Sequence, residues 1–415
     1  MKKALVIACA VLVLFSAMGC KQDGLVVWSF TDELDNMIHN YYIPAHEGVK
    51  INYSLTPTDQ FPNKLDPVLA SGRGAPDVFA LEAAFVRKYV ESGHLLDLTE
   101  IYERNRAHLL QYPVDIGTFN GRVYGMSWQA CPGAMFYRRS IAREYLGTDD
   151  PARVQEFFNS LDQFLRTAEL LRNRSNGSVV VVASRGDLYN PFLGARSQPW
   201  VVNGRLHIDP AMEQFMDISK TIHDNRYDGR VGQWSEGWFA GMKDELRDEN
   251  GSGLRAFSYF LPTWGLHYVL KPNTPATSGD WAMIPGPAPY RWGGTWIGAY
   301  RGTQNAEQAL HMIEWLTTSE EFLTAWAQDT GDMVSNLTVV NRIKDTYSEP
   351  FLGGQNHYAA FAEMAMSVDG SLVQGTDQAI EGLFQEAVTA FVEGEKTKQQ
   401  ALADFRAAVQ SQLGL

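Results

Sequence analysis

The stretch PGPAPYRWGGTWIG at residues 285–298 sets Tyr290, Arg291, Trp292 and Trp296 around Gly293, Gly294 and Thr295. Flat indoles offer apolar contact, and a guanidinium can take an anion. Glycine lets backbone N–H groups approach a bound molecule and adopt positive φ. Glu82 follows the apolar run PDVFAL, at the carboxyl end of an expected strand, where α/β sheets place ligands. A carboxylate there accepts hydroxyl hydrogen bonds worth roughly 1.5–3 kcal/mol each before desolvation; equally, Glu82 can be a solvated residue opening the next helix. Bond-making chemistry finds less support. The 9 histidines show no HExxH spacing, and no nucleophile, phosphate loop or cofactor motif is present, so no catalytic residue, metal or cofactor is expected. A glycoside hydrolase would set two carboxylates about 5–10 Å apart across a sugar; none of the 48 acidic residues falls in a recognisable pair.

The chain opens MKKALVIACAVLVLFSAMGCKQDG: two lysines, an apolar run, and small residues leading to Cys20. This reads as an export signal over residues 1–19. Gly19-Cys20 resembles the bacterial lipobox, whose cysteine is lipidated, although Ala17 and Met18 depart from the usual Leu-Ala; an ordinary cleaved signal is the other reading. The chain of 415 residues has a net charge of -13 and no long basic run, which argues against a nucleic-acid partner and leaves membrane contact to the lipid. Of the 3 cysteines only Cys131 lies beyond the lipid site; it reads as a buried filler, and no intramolecular disulfide can form.

LVVWSF, a helix capped by Thr31 or Asp32, the alternating VKINY, a further helix and the strand at 77–81 give the rhythm of a parallel α/β sheet. Residues 154–171 read as one helix, and 305–331 as two, with Asn305 and Ser319 as caps. Trp234 and Trp238, four apart, read as a core or interface pair, and Arg185-Gly186-Asp187 as a chance tripeptide. A last helix presents Ala401, Leu402, Phe405 and Val409 on one stripe.

VVWSF, the segment at 64–100, GRVYGMSWQACPGAMFYRRSI, FLPTWGLHYVL, PYRWGGTWI and FVEGEKTKQQALADFRAAV together resemble the extracellular solute-binding proteins of ABC importers. The likeness is to the carbohydrate-binding cluster, which also holds maltose- and glycerol-phosphate-binding members. It runs from about Leu25 to Val409 and is weakest over 147–253. It implies an α/β, two-lobe periplasmic-binding-protein-like fold (type II), with a cleft between lobes and crossings near 129–132, 287–293 and 334–339. Lobe 1 would be 24–130 plus 293–335, and lobe 2 131–292 plus 336–415. The implied protein is an exported monomer anchored through Cys20 and facing the periplasm or cell exterior. It would pass a small solute to a permease pair driven by a cytoplasmic ATPase.

Sugar faces carry C–H patches and sugar edges carry hydroxyls, so such a cleft combines aromatic rings with polar groups. The resemblance selects Phe30 and Asp32 after the first strand, with Asp32 alternatively a cap, and Glu82 after the third. It adds Trp128 and Gln129 before the first crossing, Trp264 after FLPT, Gly294, Thr295 and Trp296 at the second crossing, and Gln355 at a helix start. Trp296 is expected to face the cleft; Trp292 can face it too or equally pack at the hinge. Arg291 is the candidate anion contact, keeping glycerol 3-phosphate, a glycerophosphodiester or a sugar phosphate open beside a neutral sugar. A sensory lipoprotein would use the same cleft.

Overall fold

The computed structural model describes residues 24–415; the export signal and Cys20 lie outside them. Ten strands form the two principal sheets: β1 (Leu25–Ser29), β2 (Ile51–Leu55), β3 (Val78–Glu82), β4 (Met126–Ser127), β5 (Gly133–Arg138), β6 (Val179–Val182), β7 (Leu246–Arg247), β8 (Gly253–Pro262), β9 (Trp281–Ile284) and β10 (Thr295–Ala299). The first sheet runs β2-β1-β3-β10-β4; in the second, β8 pairs with β7, β5 and β6, and β5 with β9. Helices pack around both sheets in the two-lobe α/β architecture that the resemblance implies; the sheets are mixed, with parallel and antiparallel pairs, where the strand-helix rhythm predicts a parallel one.

Strand direction decides what reaches the cleft. β1 pairs in parallel with β2 and β3, so Ser29 and Glu82 end on the same edge. β10 returns antiparallel to β3 with Thr295 opposite Glu82, which brings the glycine pair to that edge too. In the second sheet β8 ends at Pro262 opposite the start of β5 at Gly133. β6 runs parallel to β8 with Val182 opposite Ser258, so both strands run toward the same side of the sheet.

Two segments link strands of the two sheets, after Ser127 and after Ile284, and a third near Val334 lies against the first. Gln129 bridges to Val334 and Pro132 to Arg291. Ala130 N–H donates to Met333 O at 2.8 Å, and Trp292 N–H to Cys131 O at 3.1 Å. The second sheet is buried on both faces: Ala134 and Phe136 of β5 join the core shared with the first sheet, while Met135 and Tyr137 join a separate outer core.

Helix caps refine the sequence reading. Thr31 caps Asp32–Met37, so Asp32 is the first helical residue. Ser160 caps Leu161–Arg174 and splits the helix expected over 154–171 from Pro151–Gln155. Ser319 caps Glu320–Thr330, whereas the Asn305 amide donates to Asp77 Oδ2 at 3.2 Å instead of capping. The last helix, Lys398–Leu413, opens with a capping box of Thr397 and Gln400 and packs on Asp377–Val392.

Candidate functional site

The cleft floor is built where β3 meets β10. Ala83 N–H donates to Gly294 O at 3.0 Å, and Ala84 N–H to Glu82 Oε2 at 2.6 Å. Gly293 has φ +73, and a Cβ there would lie 2.8 Å from Trp264 Nε1. The missing side chain is what lets the indole of Trp264 sit against the crossing, donating to Trp292 O at 3.0 Å.

Two cavities flank this point, and Glu82 and Gly293 line both. The outer one, about 580 Å³, is walled by Phe30, Asp32, Gln129, Trp264 and Tyr268, with Gly294 and Thr295 at its base. The inner one, about 380 Å³, is walled by Tyr189, Arg196, Trp234, Arg291, Asp377 and Glu381. Between them stand three indoles. Trp234 and Trp264 stack with centroids 6.2 Å apart and planes 11° apart, and Trp292 meets them edge-on at 5.5 and 5.6 Å.

The inner wall is polar and incompletely paired. Arg196 lies over the Trp200 ring at 5.2 Å, donates through Nε to Leu193 O at 3.0 Å, and reaches Asp377 Oδ2 at 3.9 Å. Its Nη1 and Asp377 Oδ1 are buried without a hydrogen-bond partner, and the buried Tyr189 hydroxyl lies by the Gln385 side chain. Burial raises the Asp377 carboxyl to about 6, with Arg196 opposing, and the Glu381 carboxyl to about 7, with the Asp377 charge adding to the rise. Burial also raises Glu82, opposed by Ala84 N–H and by Arg291. Buried donors and acceptors lacking partners are costly unless a bound molecule or water completes them. Chemically, the wall matches hydroxyl groups, which both donate and accept, and the indoles match an apolar ring face.

Residues 41–351 match the family model described as bacterial extracellular solute-binding protein. The chain belongs to this family. Such proteins work outside the cytoplasm, and among the described residues no helix is long and apolar enough to cross a membrane. An arabinooligosaccharide-binding protein of Halalkalibacterium halodurans is 21% identical over 274 residues, covering 64% of this chain and 59% of the relative. A namesake from Bacillus subtilis is 23% identical over 120 residues, 28% of each chain. The matches thus span less than two thirds of those relatives. Among solved structures, an extracellular solute-binding protein of family 1 superposes with TM-score 0.82 at 18% identity, covering 94% of this chain and 99% of that one. A Bifidobacterium animalis subsp. lactis ABC-transporter binding protein in complex with beta-1,6-galactobiose gives TM-score 0.72 at 19% identity, over 94% and 97% of the two chains. These likenesses establish the two-lobe fold.

In this solute-binding protein the residues selected from sequence separate into two groups. Phe30, Asp32, Glu82, Gln129, Trp264, Gly294 and Thr295 line the outer cavity, and Arg291 the inner one. Trp296, expected in the cleft, is instead core: it is 1% exposed and its indole N–H donates to Pro113 O at 2.7 Å. β10 lies between β3 and β4, and its second residue turns into the lobe-1 interior opposite Leu81 and Ser127. Trp128 is likewise fully buried in that core. The Gln355 amide clamps the backbone of Met283 at 2.9 and 2.7 Å, an edge contact to β9, and lines neither cavity. Cys131 is buried, its thiol raised by burial and directed to Gln129 Oε1 at 3.3 Å.

Sequence reasoning missed Tyr189, Arg196, Trp234, Asp377 and Glu381. Trp234 precedes the cap Ser235 with φ +68, outside the helix, yet its ring still packs on Trp238 with centroids 4.9 Å apart. Trp238 is core, its indole N–H donating to Asp187 Oδ1 at 2.9 Å. The same carboxylate accepts from Gln233 Nε2 at 2.9 Å and so ties down the residue beside Trp234.

Proposed function

We propose that this chain is the lipid-anchored substrate-binding component of an ABC importer, which takes a neutral saccharide into the interlobe cleft and delivers it to a permease pair driven by a cytoplasmic ATPase. The carrying observation is the juxtaposition of indoles with the polar side chains of Arg196, Arg291, Asp377 and Glu381 around the inner cavity. The relatives' descriptions, arabinooligosaccharide-binding and in complex with beta-1,6-galactobiose, support a sugar. In this reading the chain is a monomer with lobes at 24–130 plus 293–335 and 131–292 plus 336–415. Phe30, Asp32, Glu82, Gln129, Trp264, Gly294 and Thr295 are its outer-cavity contacts, and Cys20 carries the lipid. Ligand shifts an open–closed equilibrium, and no bond is made or broken.

A second reading rests on Arg291. Its guanidinium is held by no ion pair among the described residues and faces the inner cavity, which suits a glycerol phosphate or sugar phosphate. Against it, Glu82, Asp377 and Glu381 line the same space, and each repels an anion when ionised. Calorimetric titration against arabinotriose, maltose, β-1,6-galactobiose, glycerol 3-phosphate and glucose 6-phosphate separates the two. Neutral sugars alone should bind, and Arg291→Ala should retain them; binding confined to the phosphates, and abolished by Arg291→Ala, overturns the saccharide reading. Cys20→Ser should move the exported protein from the membrane to the soluble fraction; unchanged membrane retention would remove the lipid anchor.

A further inference from the structure

Resting on the saccharide reading, we infer that Trp234 is a specificity-determining platform of the inner cavity, held in a strained backbone so that one indole face stays open to the solute. Four large apolar side chains are conspicuously exposed among the described residues: Leu55, Trp234, Tyr268 and Met366. Trp234, at 44% exposure, is the one on the inner wall. Its ring packs on Trp238, Phe239, Trp264 and Trp292, yet much of its surface stays open on the cavity wall.

The backbone gives the second observation. Trp234 adopts φ +68, a left-handed conformation rarely taken by a bulky side chain, and such strain persists where surrounding contacts over-determine it. Those contacts are present. Gln233 is tied to Asp187, Ser235 caps the following helix by accepting from Trp238 N–H, and the indole stacks on Trp264 with a third ring, Trp292, at its edge. A right-handed backbone at 234 would swing the ring off Trp264.

Trp264 therefore serves the outer cavity and Trp234 the inner one, as two adjoining platforms. A sugar ring lying on Trp234 would meet the polar side chains that line the same cavity, Arg196, Gln233, Arg291 and Asp377 among them. The platform thus recognises a ring with an apolar C–H face and hydroxyls around its rim.

The test separates ligand contact from packing. Wild type, Trp234→Gly and Trp234→Phe are titrated with whichever of arabinotriose, maltose and β-1,6-galactobiose wild type binds, and each is melted without ligand. Glycine adopts positive φ freely, so Trp234→Gly should lose tenfold or more in affinity while melting no lower than wild type. Trp234→Phe should recover part of the affinity. Unchanged affinity in Trp234→Gly, or a loss matched by a fall in melting temperature, overturns the platform assignment and leaves the saccharide reading intact. Failure of wild type to bind any neutral sugar overturns that reading and the platform with it.

Discussion

Trp264 and Trp296 sit within one site's reach in sequence terms but do different work. Trp264 borders the outer cavity; Trp296 is sealed in the lobe-1 core. Truncating Trp296 to alanine should cost about 3–5 kcal/mol of stability, the range for large aromatic core deletions, measured by denaturant unfolding. Asp187 carries a pH signature. Burial raises its carboxyl from 3.8 to about 8, with the Trp238 and Gln233 bonds opposing. The folded state therefore holds a proton that the unfolded state releases above about pH 4. That contribution is complete below the unfolded value and fades as pH rises through about 8. Asp187→Asn, which still accepts from Trp238, should flatten the decline in melting temperature between pH 5 and 8; an unaltered slope would place the titration elsewhere.

At the scale of elements, the cleft edge follows from strand order. Parallel β1 and β3 end beside the start of antiparallel β10, which is why Phe30, Glu82 and Thr295 converge although they are distant in sequence. This much was legible: apolar runs, glycines and polar residues at strand ends mark the edge. What was not legible depends on side-chain direction and on remote pairing. Trp296 follows the glycines closely, yet the two-residue period of β10 sends it inward. Trp234 does pack on Trp238, with ring centroids 4.9 Å apart, but its place on the cavity wall comes from a left-handed backbone before a cap, which residue spacing does not signal. Arg196 and Asp377, far apart in the chain, meet only because the Asp377–Val392 helix packs on Pro210–Asp224 beside the 189–196 segment. The glycine pair supplies a further prediction. Gly293→Ala adds a methyl 2.8 Å from Trp264 Nε1 at a positive φ, so it should cost more than about 1 kcal/mol in stability and weaken sugar binding together. Loss of neither would detach Trp264 from the crossing.

For the whole molecule, the segments between the two sheets are tied together through the first, which is bonded to both others, and residues from beside both sheets line the cavities. A solute bound by the native state alone stabilises it by about 2.7 kcal/mol at a hundredfold excess over Kd. A raised melting temperature should therefore accompany saturation with the recognised saccharide, and its absence would argue against a native-state cleft. The most direct measurement is calorimetric titration of wild type, Trp264→Ala and folded Trp296→Ala with the neutral saccharide panel. The cleft assignment predicts that wild type binds, that Trp264→Ala weakens binding by about 1 kcal/mol or more, and that Trp296→Ala binds as wild type does. No neutral saccharide bound by wild type, or affinity untouched by Trp264→Ala, would contradict it.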